Sequence, residues 1–235
     1  MTTMGERRRA ALFDLDDTLT DHAAAFAAWA GEFAASEGVP LSWLMRAETL
    51  HAGARHAFFA DLKDAFKLRR SVASLHADYR LRSAELVPYR PEVCAALQQL
   101  ADDGWAMGVV TNGSPDAQRL KLDVARLTPY FGSVVISGEY GVRKPDPALF
   151  HVALDDLQAH DTSMAVMVGD SLTADVAGGQ LAGLQTVWIS HGRTRRLEDP
   201  VPTRTALEVV SAANGLPTLV SPRGAGALPQ PVAAP

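Results

Sequence analysis

One cysteine, Cys94, stands among 235 residues, so no disulfide can form within the chain. Its Ala/Leu-rich helical surroundings contain nothing that would activate a thiolate, which makes Cys94 a buried structural thiol. Long apolar runs are also missing, and none approaches the roughly 20 residues that a membrane span requires. Nor is there an excess of positive charge. Lys and Arg number 22 against 27 Asp and Glu, a formal net charge of −5, which argues against non-specific nucleic-acid binding and leaves room only for a local cationic pocket. The one short basic block, Arg7-Arg8-Arg9, reads as a solvated lead-in to the first strand. The apolar run Ala10-Ala11-Leu12-Phe13 meets an aspartate after four residues, too soon for the core of a signal peptide, and the expected location is cytoplasmic. Internal repeats are absent. What is present is ordinary for a folded chain, 47% hydrophobic and 21% charged, with enough length for one domain plus an insertion.

Five apolar runs have strand character and end at polar or turn-forming residues: 10–13, 106–110, 133–136, 164–168 and 186–189. Between the later ones, residues 91–103, 147–157 and 172–184 carry helical periodicity. Continuous apolar strands alternating with helices predict a doubly wound, Rossmann-like parallel sheet covered on both faces. The alternation breaks between Thr20 and Pro88, where Phe26, Trp29, Ala30 and Phe33, then Val72, Leu75 and Tyr79, recur at helical spacing without a strand between them. About 65 residues of helix, far above the roughly one-third norm, predict an inserted helical cap over residues 21–87, with residues 1–20 and 88–211 forming the α/β core. Residues 205–213 are a candidate last helix. Residues 212–235, and from Gly215 onward most clearly, read as a mobile Pro/Ala-rich tail.

Polar clusters follow four of the strands. Asp14-Leu15-Asp16-Asp17-Thr18 comes first, and on a continuing strand Asp14 and Asp16 would share a face and repel each other unless a divalent cation offset the charge; hard oxygen donors suit Mg²⁺. Thr111-Asn112-Gly113 follows the second strand, Lys144-Pro145-Asp146-Pro147 lies beyond the third, and Gly169-Asp170-Ser171-Leu172-Thr173-Ala174-Asp175 follows the fourth. Each alone has a plain structural reading: a turn, a loop entering a helix, a helix start. In open parallel sheets, ligands bind outside the carboxyl ends of the strands, so the four can converge on one crevice. Asp17 and Asp146 are set aside, the latter as a cap for a helix beginning at Pro147. His22 sits where the chain leaves the first loop and reads as a helix-start histidine that could reach a ligand.

The four clusters in this order resemble the haloacid dehalogenase superfamily, specifically its phosphatase branch with a helical cap, and the nucleotidase and N-acylneuraminate-9-phosphatase members in particular. The resemblance runs from about Ala10 to Ile189 and implies a set of roles. Asp14 would be the nucleophile, forming an aspartyl-phosphate, and Asp16 the general acid and base. Thr111 would bind a phosphoryl oxygen together with the backbone amides near Leu15, Asn112 and Gly113, while Lys144 neutralises charge on the nucleophile and the phosphoryl group. Mg²⁺ would be held by Asp14, the backbone carbonyl of Asp16, Asp170 and Asp175, the last as a ligand or one step behind. The implied substrate is a small phosphorylated metabolite such as a phosphosugar or a nucleoside monophosphate, with no nucleic acid or membrane as partner. The sequence does not distinguish a monomer from a homodimer. Asp16 argues against a dehalogenase, whose relatives lack the second aspartate. Asp17-Thr18 stands where mutases of this cap type carry Gly-Val. A non-catalytic module of the same fold is the reading from another class, and it would typically have lost one of the residues kept here.

Overall fold

The computed structural model describes residues 8–51 and 53–220. Six strands form one parallel sheet: β1 Ala10–Phe13, β2 Ala106–Thr111, β3 Ser133–Ile136, β4 Ala165–Gly169, β5 Gln185–Ile189 and β6 Arg204–Ala206. Their spatial order is β3-β2-β1-β4-β5-β6, with every pairing parallel. This is the doubly wound α/β fold expected of such runs. β1, β2 and β4 are buried along their whole length, which is why their sequences are continuously apolar rather than alternating.

Among the described residues ten helices accompany the sheet: α1 His22–Glu37, α2 Leu41–Leu50, α3 Arg55–Phe66, α4 Val72–Glu85, α5 Pro91–Asp102, α6 Pro115–Val124, α7 Ser137–Tyr140, α8 Pro147–Asp156, α9 Ala177–Leu181 and α10 Val209–Leu219. Two apolar clusters cover the two faces of the sheet. One joins Phe13, Val109 and Val168 to α5 and α10 through Leu97, Leu100, Ala213 and Leu216. The other joins Leu12, Val110 and Met167 to α8 through Leu149, Phe150 and Leu154. Cys94 lies buried in the first, as expected of a structural thiol.

Helices α1–α4 fill the break between β1 and β2 and pack around a third cluster of their own, built on Phe26, Trp29, Phe58, Phe59, Leu75 and Tyr79. Trp29 sits at its centre, with the rings of Phe33, Phe58, Phe59 and Tyr79 all within 6.3 Å of it, centroid to centroid. Burying each such ring contributes about 1.5–3 kcal/mol. Asp21 starts α1 by accepting a hydrogen bond from the Ala24 amide at 2.8 Å, and Gly38, at φ +69°, ends it.

The carboxyl-terminal expectation is corrected. Residues 205–213 are not a single helix: Arg204–Ala206 pairs with β5 as an edge strand, and α10 begins at Val209. Nor does a tail begin at residue 212 or Gly215. α10 continues to Leu219, with Ala212, Ala213, Leu216 and Val220 buried against the sheet, because these apolar residues recur at helical spacing despite Gly215 and Pro217. The remainder of the expected tail, 221–235, lies outside the described residues, as do residues 1–7. Among the described residues no helix is long and apolar enough to cross a membrane.

Candidate active site

The central strands β1 and β4 lie side by side where the strand order reverses, and their carboxyl ends open the crevice that this topology provides. Asp14 follows β1 and is locked in place by its amide, which donates to the Val168 carbonyl at 2.9 Å. Beyond it the chain turns sharply around the Leu15 carbonyl, which accepts from the amides of Leu19 (3.0 Å) and Thr20 (2.9 Å) and from the Thr20 hydroxyl (3.1 Å). This loop keeps Asp14 and Asp16 near each other while giving their carboxylates different partners.

Lys144 is 6% exposed and bridges two carboxylates, its Nζ lying 2.6 Å from Asp14 Oδ1 and 2.6 Å from Asp175 Oδ1. Asn112 fixes the lysine's backbone from both sides: its amide nitrogen donates to the Lys144 carbonyl and its oxygen accepts from the Lys144 amide. Asp175 enters on a π-helical turn, Leu172–Val176, and its other oxygen accepts from the Ser171 amide at 2.9 Å. Gly169 makes room for it, since a Cβ at that position would fall 2.3 Å from the Asp175 carboxyl.

Asp14, Asp170 and Asp175 each bring a carboxylate oxygen to within 4.8 Å of the others. Against these three charges stand Lys144 and, at the rim, Arg193, which reaches Asp170 Oδ2 at 3.0 Å. The cluster is short of positive charge. Burial and the nearby Asp175 push the Asp14 carboxyl up to about 8, against the pull of Lys144. The same two causes push Asp170 up to about 6, against Arg193. Three convergent hard oxygen donors with unbalanced charge fit a small divalent cation such as Mg²⁺. Asp16 could add only its carbonyl, because its carboxylate faces the other way.

That carboxylate is held by residues that the sequence did not single out. Lys121 Nζ donates to both Asp16 oxygens, at 2.8 and 2.7 Å, and Gln118 Nε2 lies 3.2 Å from Oδ2. Burial alone would raise the Asp16 carboxyl, but Lys121 and His22 bring it below the ordinary range. Gln118 Nε2 also donates to Thr111 Oγ1 at 2.7 Å, which leaves the threonine's own proton to give. Both residues lie on α6, whose polar sequence resembles a solvated helix. The signal that could have found them is their i, i+3 spacing directly after the Thr111 loop.

Other expected residues differ in detail. The Gly113 amide is not turned toward the crevice but donates to Ser137 Oγ at 3.1 Å, so its contribution there is space rather than a hydrogen bond. Asp146 caps α8 as expected, accepting from the Ala148 amide at 2.9 Å. His22 is held rather than solvated: Arg55 Nη2 lies 2.8 Å from its Nε2, and Glu48 grips the same arginine through both carboxylate oxygens.

A parallel sheet whose central strand ends in a buried carboxylate, with a lysine bridging it to a second, gathers the four sequence clusters into one crevice. Comparison with known proteins agrees. The profile of the haloacid dehalogenase-like hydrolases matches residues 8–183, and the chain belongs to that family. It is 37% identical over 176 residues to phosphoserine phosphatase of Thermus thermophilus, a match covering 75% of this chain and 61% of that protein. It is 38% identical over 114 residues to N-acylneuraminate-9-phosphatase of Mus musculus, covering 48% and 44% of the two chains. The crystal structure of the HAD-hydrolase YfnB of Bacillus subtilis, bound to magnesium, superposes with a TM-score of 0.78 at 25% identity, covering 90% of this chain and 99% of that one.

Proposed function

We propose that this chain hydrolyses a small phosphate monoester in two steps through an aspartyl-phosphate on Asp14, with residues 21–87 acting as a cap over an α/β core. The observation that carries the reading is the Lys144 bridge, 2.6 Å to Asp14 and 2.6 Å to Asp175 beside the third carboxylate of Asp170. A carboxylate attacks phosphorus only when ionised, and Asp14 has a raised proton affinity. Lys144 supplies part of the charge that keeps it ionised. A Mg²⁺ ion held by Asp14, Asp170, the Asp16 carbonyl and Asp175 would supply the rest, and would neutralise the phosphoryl oxygens as well.

Thr111 offers its free proton to one phosphoryl oxygen, and attack by Asp14 breaks the bond from phosphorus to the leaving oxygen. Asp16 gives that oxygen its proton and afterwards takes one from the water that cleaves the aspartyl-phosphate. Lys121 holds Asp16 as a carboxylate, the form needed for the second step. For the first step Asp16 must carry a proton, the one it took from water in the preceding turnover, and an incoming phosphate dianion that competes for the Lys121 ammonium lets Asp16 keep it. A single buried thiol suits a cytoplasmic enzyme.

Phosphate release from a panel of phosphosugars, nucleoside monophosphates and phosphorylated acids, with Mg²⁺ or with chelator, tests the reading. Mg²⁺-dependent release that disappears in Asp14→Asn is expected. A folded, metal-loaded protein inactive on the whole panel and on an aryl phosphate would shift the reading to a mutase or a non-catalytic module.

A further inference from the structure

Next to the phosphoryl site, between α4 of the cap and the start of α6, lies a cavity of about 630 Å³ that Asp16 also lines. The leaving group of the proposed reaction must occupy it, since Asp16 is the group that protonates the departing oxygen. Much of the polar lining is already engaged. Lys121 is paired with Asp16, Arg55 with Glu48, and Gln118 with Asp16 and Thr111. The aromatic rings are engaged as well. Arg55 lies over the Tyr79 ring at 4.9 Å while Trp29 meets it edge-on at 4.8 Å, and His76 stacks on Phe59 at 5.5 Å. Each of these rings already has a partner within the protein.

What remains unspent is of one kind. Arg80 Nε, Tyr79 Oη and Ser114 Oγ are closed off from water and make no hydrogen bond of good distance and angle, with Ser83 beside Tyr79 and Asp116 beside Ser114, and all three residues line this cavity. Ser114 precedes α6 without capping it, and within the first turn Asp116 accepts from the Ala117 amide at 2.8 Å. Arg143 lines the cavity too, and no ion pair with a carboxylate is found for it among the described residues. Arg80 touches Asp116 with Nη2 at 2.6 Å, but Asp116 lies outside the lining, and the partly exposed guanidinium meets a ligand at its Nε edge only after a small shift of the side chain. An unmatched buried donor is costly, and an arginine edge beside hydroxyls is matched best by a planar anion.

We infer that this cavity binds a carboxylate on the leaving group, so that the preferred substrates are phosphate monoesters of hydroxy acids, held by Arg80 with Tyr79, Ser114 and Arg143. The inference rests on the phosphatase reading and specifies its substrate class.

Matched pairs test it: 3-phosphoglycerate against glycerol 3-phosphate, and phosphoserine against phosphoethanolamine. The quantity read is the ratio of kcat/KM within each pair. The ratio is expected to favour the carboxylated member by at least about tenfold, the usual scale of a charge-assisted hydrogen bond. It should fall toward one in Arg80→Met, mainly through KM. Asp116→Asn loses the same ion pair but keeps the arginine, so its ratio should persist, which separates recognition from loss of the contact between cap and core. Ratios near one in the parent, with an aryl phosphate still hydrolysed, would overturn the inference and leave the phosphatase standing. A high ratio untouched by Arg80→Met would overturn it equally. No turnover of any ester removes the phosphatase reading and this inference with it.

Discussion

Raising the pH from 5 to 8 in the presence of a chelator should make this chain easier to unfold, and Mg²⁺ should reverse the effect. The Asp14 carboxyl, ordinarily at 3.8, is pushed up to about 8 by burial and by Asp175, and Asp170 is pushed up to about 6. A group whose proton affinity rises on folding adds stability below its unfolded value and loses it as the pH climbs through the folded one. For Asp14 that window runs from about 4 to about 8. At about 1.36 kcal/mol per decade of proton affinity the ceiling is on the order of 5 kcal/mol. Water entry and movement of Lys144 would halve this, and roughly 2–3 kcal/mol in a domain of this size lowers Tm by about 5–10 °C. Acid-side losses lie below this window: Glu48, held near 2 by His22 and Arg55 against the effect of burial, and the depressed Asp16 give up stability only as the pH falls. His76, lowered by burial and Arg80, opposes the trend near neutrality, and subtracting a variant removes its share. Thermal unfolding of the parent and Asp14→Asn, each with chelator and with Mg²⁺, is the assay. The parent should lose Tm between pH 5 and 8 only in chelator, and Asp14→Asn should be the more stable of the two at pH 8. Equal slopes in the two proteins would refute the assignment of uncompensated charge to Asp14.

The same contacts set three further outcomes. Lys121→Met frees the Asp16 carboxyl to rise, so the pH optimum of phosphate release should move upward and turnover should drop by about 10-fold or more, the low end of what acid–base groups contribute; an unmoved pH profile would show that the clamp does not govern Asp16. Gly169→Ala places a Cβ 2.3 Å from the Asp175 carboxyl, and urea unfolding should register a loss of roughly 1–3 kcal/mol, typical of forced overpacking, together with loss of activity. Ending the chain after Gly215 removes the buried Leu216 and Val220, and a loss of about 2–5 kcal/mol, as for large-to-small core changes, should appear in the same assay; unchanged stability would show that the end of α10 does not hold the sheet.

Burial decides what was legible in the sequence. β1, β2 and β4 announce themselves because strands covered on both faces have no polar side to interrupt the run. Asp14, Asp170 and Lys144 stand where those runs stop or shortly beyond a strand, so their convergence follows from topology. β6 escaped because three residues at a sheet edge, two of them polar, leave no pattern to read. The far end of α10 escaped because Gly215 and Pro217 are signals for a chain end, and tertiary packing of Leu216 and Val220 overrides them. Lys121 and Gln118 escaped for a different reason. Their partners lie about a hundred residues away, and nothing local separates a lysine that grips Asp16 from one that faces water. The Arg80–Asp116 and Arg55–His22 contacts are invisible for the same reason.

The third apolar cluster shares no residue with the two that hold the sheet. The apolar side chains of α1–α4 thus have their own centre, joined to the sheet's cluster through Ala25 of α1. Trp29 and Phe58 pack among α1–α4, whereas β1 and β4, which lead into Asp14 and Asp175, pack with α5, α8 and α10. Arg80 and Tyr79, which line the cavity beside Asp16, stand on α4 of that part. The apolar centre of α1–α4 can then be rewritten without changing the side chains that cover the sheet, while Ala25 and the Arg80–Asp116 pair keep the two in register.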